Sequence, residues 1–250
     1  AVPAVAAQLI NVLYNIVDRI YIGHIQGYGD MALTGVGVTF PIIMLIAAFS
    51  AFAGMGGAPL ASIQLGKHDY DRAELILGNS AGLLVIFSVV LTIAFSIFKT
   101  PVLYAFGASE TTIQYAESYI GIYLLGTIFV QFAVGLNTFI SGQGEARIAM
   151  LSVLIGAIIN ICLDPVFIFV FGMGVKGAAL ATIISQAVSA AWVIKFLTSK
   201  KSVIRLKAKN MRLKGDVVKH IGGLGISPFI MQSTESLVNI TLNSGLQKYG

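Results

Sequence analysis

The chain has 250 residues, of which 56% are hydrophobic and only 11% charged, with a mean hydropathy of +0.86. A soluble domain carries about 25% charged residues, so an ordinary soluble protein is excluded. The short alternating segments of a membrane β-barrel are missing too. What remains is an all-α polytopic membrane protein, because runs of 18 or more mostly apolar residues recur along the whole length. The net charge of +5 then reads as a topology signal. A single cysteine, Cys162, rules out an internal disulfide and a cysteine metal site; it is expected to be a small packed residue inside a span. The chain opens AVPAVAAQ, without Met or a basic leader segment, and reads as a piece of a longer protein.

Hydropathy predicts seven spans, at about 1–24, 33–63, 75–98, 114–140, 147–171, 177–198 and 221–246. Lys67 and Arg72 lie between spans 2 and 3, Arg147 between 4 and 5, and a dense set from Lys195 to Lys219 between 6 and 7. The opposite side has only Lys99, Lys176 and Lys248. The positive-inside rule therefore puts the even–odd connections and the N-terminus in the cytoplasm. It divides the chain into a six-helix unit over 1–198, a basic cytoplasmic linker over 199–219 and the start of a second unit over 220–250. The linker is short and lies between two spans, so nucleic acid is not its partner. Val203, Ile204, Leu206, Met211 and Leu213 interleave with its charges, which predicts that it rests on anionic headgroups.

Span 1 carries Gln8, Asn11, Asn15 and Asp18 within an arc of about 80°. A lipid-facing helix has no use for such a stripe, so this face lines a cavity or a helix contact. Asp18 is either an intramembrane acid or a group solvated near the outer headgroups. Arg19 points about 100° away from it. Span 2 is rich in glycine and alanine, which lets membrane helices approach closely. His68, in the turn after it, reads as a solvated loop residue. Polar groups in span 3 (Asn79, Ser80, Thr92) are explained by packing. In span 4, Glu117 is expected at the interface. Tyr119 belongs either to the aromatic belt or to a hydrogen bond with an acid.

From span 5 through the next turn into span 6, residues 154–186 read LIGAIINICLDPVFIFVFGMGVKGAALATIISQ. Asp164 sits in the middle of an apolar run, where an acid costs about 2.5–3.5 kcal/mol on insertion scales. Asn160 shares its face at i−4, and Pro165 predicts a kink or an opened turn. Acid, amide and kink together suit a small cation or a proton. Thr182, Ser185, Gln186 and Ser189 share a face of span 6, and Gln232, Glu235, Asn239 and Asn243 share a face of span 7. Gly172 to Gly177 match GxGxxG, but a span precedes them and no acid stands about 20 residues on. They are predicted to form a tight extracellular turn. Asn239-Ile240-Thr241 is a glycosylation sequon placed inside a span. No HExxH, Walker A or zinc spacing occurs, and no poised nucleophile and base suggest an enzyme.

VDRIYIGHI…ALTGVGV over 17–38, QLGKHDYDRA over 64–73 and NICLDPVFIFVFGMGVKGAALAT over 160–182 resemble the multidrug and toxic compound extrusion (MATE) family, in the manner of its bacterial DinF-like and MepA-like branches. The resemblance covers essentially the whole chain. It implies the N-terminal lobe of a two-lobe antiporter plus the seventh transmembrane helix, in the plasma (inner) membrane, with the C-terminal lobe of the same protein as partner. It implies export of organic cations or drug-like molecules by alternating access, without a cofactor and with H+ or Na+ as the coupling ion. The implied cation site is Asp18, Asn160, Asp164 and Thr182, with Tyr119 beside it. Asn11 and Asn137 are implied to line the substrate cavity, and Asn15, Gln186 and Glu235 are assigned to it with them. Pro3 stands where the family's first helix bends. The alternative within the same superfamily is a lipid-linked oligosaccharide flippase, which would need basic residues in mid-span. A non-transporting structural or receptor protein would leave the intramembrane acids without a purpose.

Overall fold

The structure, a computed structural model, describes the backbone of residues 2–249 and the side chains of these residues except 2, 4, 243, 244 and 246–249. Asn243 and Lys248 thus fall outside the described side chains. The helices are α1 (Val2–Gly23), α2 (Gly29–Gly66), α3 (Tyr70–Ala105), α4 (Ile113–Leu125), α5 (Thr127–Gln131), α6 (Asn137–Gly142), α7 (Ala146–Pro165), α8 (Val175–Thr198) and α9 (Gly215–Tyr249). Among the described residues, α2, α3, α8 and α7 continued through Val170 are long and apolar enough to cross a bilayer, and α4 with 127–142 forms a fifth, bent span. The remaining two predicted spans, α1 and α9, are the helices with polar stripes.

Span 4, predicted at about 114–140, is bent by 64°. Gly126 stands at the bend because Ile183 of α8 presses there: a Cβ on Gly126 would meet its Cγ2 at 2.4 Å. The break frees the Leu124 carbonyl, and the hydroxyls of Thr92 and Thr127 donate to it at 3.0 and 2.8 Å. Residues 132–136 then wind as a π-helix. Gln131, just before them, ties the bend to α2: it accepts from Ser50 at 2.9 Å and donates to the Ile46 carbonyl at 3.2 Å.

Pro165 does what its chemistry predicts. It lacks an N–H, and the helix widens at once to a π segment over 166–170. The next turn has Gly172 at φ 64° and Gly174 at φ 55°, a left-handed conformation that favours glycine. Pro3 lies within α1.

Helix α1 packs on α7, α7 on α8, and α8 on α4; α2 packs on α3, α4 and α9. Glycines carry the closest approaches, as expected for span 2. A Cβ on Gly54 would lie 2.4 Å from the Gly135 oxygen, and one on Gly56 would lie 2.4 Å from the Ile221 oxygen. Apolar side chains form two clusters. One, at the end of the 5–6 turn, includes Ile42, Ile46, Ile120 and Ile168. The other, at the linker end, includes Ala53, Leu77, Phe139 and Val193. The buried polar residues Ser50, Asn160, Asp164, Thr182 and Ser185 fall between the two along α2, α7 and α8. Cys162 is exposed on the outside of the bundle, not packed within it.

The basic linker is partly seated on the bundle. Ile204 is 1% exposed, and Leu206 and Met211 pack on the linker-end cluster, while Val203 and Leu213 stay exposed. Three side chains hold its backbone. The Gln143 Oε1 accepts from the Ser202 hydroxyl at 3.0 Å and the Val203 N–H at 2.9 Å. Glu74 accepts from the Arg205 N–H at 3.1 Å and pairs with the Lys207 ammonium. Asn79 donates to the Asn210 carbonyl at 3.0 Å and accepts from the Lys214 N–H at 2.7 Å. Satisfying these backbone groups inside the protein lets apolar linker residues leave water.

Candidate functional site

Three helices bring the predicted ion residues together. The Asn160 amide donates to Asp164 Oδ1 at 3.2 Å and approaches Thr182 Oγ1 at 3.5 Å. Thr182 spends its own proton on the Ala178 carbonyl at 3.0 Å, so its lone pairs face the site. The carboxyls of Asp18 and Asp164 interact directly across the α1–α7 contact. Asp164 is fully buried and Asp18 is 8% exposed, which excludes a solvated Asp18 among headgroups. Tyr119 is also buried, not in the aromatic belt; it lies beside Asp18 and Thr182 and stacks on Tyr123 at 6.1 Å. Glu117 is half-buried and pairs with the Thr100 hydroxyl.

Three oxygens in this cluster are buried without a hydrogen-bond partner: Asp18 Oδ1, Asn160 Oδ1 and Asp164 Oδ2. An unsatisfied buried polar group costs about 1–3 kcal/mol, more if charged. Oxygen donors of this kind suit a proton or a hard cation such as Na+. The Tyr14 hydroxyl is near Asp18 and Asn15. Sequence reasoning passed over Tyr14 and Tyr123. Their signal was the i−4 spacing from Asp18 and the i+4 spacing from Tyr119.

Two cavities adjoin the cluster. The first, of about 220 Å³, is walled by Tyr14, Asn15, Asp18, Tyr119, Thr182 and Gln186, with Arg19 and Phe40 at its edge. The Arg19 guanidinium sits 4.7 Å over the Phe40 ring, so it is held by a cation–π contact and not by Asp18 alone. The second, of about 140 Å³, is lined by Asn11, Asn137, Ser152, Ser185 and Ser189 and shares Tyr14 and Gln186 with the first. A third, open groove of about 250 Å³ follows the α1 stripe through Gln8, Asn11 and Asn15. Asn11 and Asn137 are thus separated from the aspartates, while Asn15 and Gln186 join them. Glu235 is exposed on α9 and lines none of these spaces.

A bundle of apolar helices that buries paired acids beside polar cavities fits a multi-pass membrane transporter. Residues 3–166 match the MatE family profile, and the chain belongs to that family. It is 27% identical to "Multidrug export protein MepA" of Staphylococcus haemolyticus over 250 residues, covering 100% of this chain and 55% of the relative. The solved structure of the "MATE multidrug transporter DinF-BH" superposes with a TM-score of 0.94 at 36% identity, covering 100% of this chain and 55% of that one. The "inward-facing conformation of a multidrug resistance MATE family transporter of the MOP superfamily" gives a TM-score of 0.87 at 28% identity, covering 96% and 56%. The chain therefore spans about half the length of these relatives.

Proposed function

We propose that this chain is the ion-coupling half of a secondary active exporter in the plasma (inner) membrane, which expels drug-like organic cations in exchange for H+ or Na+. Residues 1–198 form the N-lobe, 199–219 the cytoplasmic linker between lobes, and 220–250 the start of the C-lobe. The carrying observation is the set of orphaned oxygens on Asp18, Asn160 and Asp164 beside a polar cavity. Two carboxyls facing each other in a poorly hydrated pocket cannot both stay ionised cheaply. At least one takes up a proton, or both share a cation. That event changes the contact between α1 and α7. It couples transport when ion and cargo each prefer a different state of the protein.

The cavity at the aspartates, about 220 Å³, is smaller than the roughly 300–1,000 Å³ of a drug-sized pocket. The open groove along Gln8, Asn11 and Asn15 is about 250 Å³ on this chain alone; with the second lobe as its other wall it reaches a drug-sized volume, and the cargo seats there. Relatives described as multidrug exporters support the cargo class. The flippase alternative lacks the mid-span basic residues that a pyrophosphate would need.

The test uses the full-length protein in proteoliposomes with a fluorescent organic cation. Efflux is followed under an imposed pH gradient and then an imposed Na+ gradient, for wild type and Asp164→Asn. Transport under one gradient, lost in the variant, names the coupling ion. Normal gradient-driven efflux by Asp164→Asn sinks the reading.

A further inference from the structure

The second cavity was expected to hold cargo, yet its size and place point elsewhere. At about 140 Å³ it is under half the lower bound for a drug-sized pocket. It has room for about four waters at roughly 30 Å³ each. Its polar lining is neutral: amides from Asn11 and Asn137 and hydroxyls from Ser152, Ser185 and Ser189. With no formal charge it does not hold an ion, but it can pass one. A packing-driven interior closes to near-crystalline density, and a void bounded by amides and hydroxyls takes up water.

Its walls are fixed by contacts between helices. Asn137 donates to the Ala149 carbonyl at 3.2 Å and accepts from Ser152 at 3.2 Å, and Ser189 donates to the Ser152 carbonyl at 2.9 Å. Gly156 leaves the Ser189 hydroxyl its place, since a Cβ there would lie 2.3 Å from that oxygen.

Direction is set by the chain. Asn11 precedes Asp18 on α1, Ser152 precedes Asn160 on α7, and Ser189 follows Thr182 on α8. Asn137 begins the last helix before the 4–5 turn. All three displacements, and the place of Asn137, lead toward the end that carries Lys67, Arg72 and Arg147, and each step of seven or eight residues is about 10–12 Å. Among the described residues, Tyr14 and Gln186 are the two that belong to both cavity walls.

We propose that the second cavity is a hydrated exit inside the lobe, through which the coupling ion passes from the aspartate pair toward the cytoplasm, with Tyr14 and Gln186 as the partition. For a proton the step is simple: a protonated carboxyl gives its proton to a cavity water, leaving a carboxylate and a hydronium. Cargo keeps to the open groove, which meets this cavity at Asn11 alone. The inference rests on the ion-site reading above.

The test fills the cavity in the full-length protein with Val153→Phe. The expected result is gradient-driven efflux slowed at least tenfold, with cargo affinity within about twofold of wild type. Efflux at the wild-type rate overturns the proposal, and so does weakened cargo binding with coupling intact, which would return the cavity to the cargo. Asp164→Asn is measured beside it. Normal efflux there shows that the ion-site reading itself has failed, whatever Val153→Phe does. If Val153→Phe does not fold, Ser189→Cys is used with every other cysteine replaced. A small cationic methanethiosulfonate added on the linker side should modify it and block efflux. No modification from that side overturns the proposal.

Discussion

Two parts of this molecule bury acids, and they do it in opposite ways. Glu74, at the start of α3, is 7% exposed, and its oxygens meet the Arg205 N–H and the Lys207 ammonium. Asp18 and Asp164 are equally buried, yet each keeps an oxygen with no partner. A buried acid whose hydrogen bonds are complete holds structure together. One whose bonds are incomplete is waiting for a ligand. Burial alone does not separate the two cases; the partner count does.

The contrast is sharpest in paired substitutions. Asp164→Asn removes a charge that the fold does not complete, so gradient-driven efflux should fall by at least 100-fold while the melting temperature in detergent stays level or rises. Glu74→Ala should show the reverse. It strands a linker N–H and a lysine, at about 1.5–3 kcal/mol, lowers the melting temperature and speeds proteolysis within 199–214. Equal loss of transport in both, with equal stability, would break the comparison. Asn79→Leu keeps the side-chain volume but leaves the Asn210 carbonyl and the Lys214 N–H unpaired. A destabilisation of about 1–3 kcal/mol is expected in the same melt, with cargo affinity unchanged.

The smallest effect belongs to the exposed pair at the foot of α9. Arg72 and Asp216 meet at 2.5 Å in partly open solvent. The hydrogen bond from Arg72 holds the Asp216 carboxyl below its ordinary value. Because its folded-state value is depressed, any support it gives is present at neutral pH, above its unfolded value. That support fades as pH falls through the lower folded value, below about 4. Asp216→Asn should therefore shift the melt barely at pH 7, less still in high salt, and progressively less as pH falls through that lowered value.

Much of the ion site was legible in the chain because its cues are local. Asn160, Asp164 and Pro165 lie within one helical turn and a half, and an acid in an apolar run announces itself by its cost. The grouping of Asp18 with Asp164 needed the resemblance, since no spacing rule links residues on separate spans. The bend at Gly126 was invisible because its cause, Ile183, is far away in sequence. The seat of the linker on the bundle was not legible for a related reason. Its apolar residues interleave with charges as an interfacial helix would have them, but the partners that seat it, Glu74, Asn79 and Gln143, come from α3 and the 4–5 turn. The resemblance grouped Asn11 and Asn137 in one cavity, and no sequence cue shows that the space they line together is walled off from the aspartates by Tyr14 and Gln186.

The docked linker also has a mechanical meaning. A free tether of its length would let the second lobe drift. Here the chain is pinned at Gln143, Glu74 and Asn79 as far as Lys214, whose carbonyl already accepts the first helical bond of α9, from Val218 at 2.9 Å. Almost no slack remains between anchor and helix. The entry of α9 is thus fixed to the same residues that anchor the linker, and further along the Ser236 hydroxyl donates to the Pro41 carbonyl of α2 at 3.0 Å. The linker acts as a clamp: whatever moves α9 must pull on the first bundle.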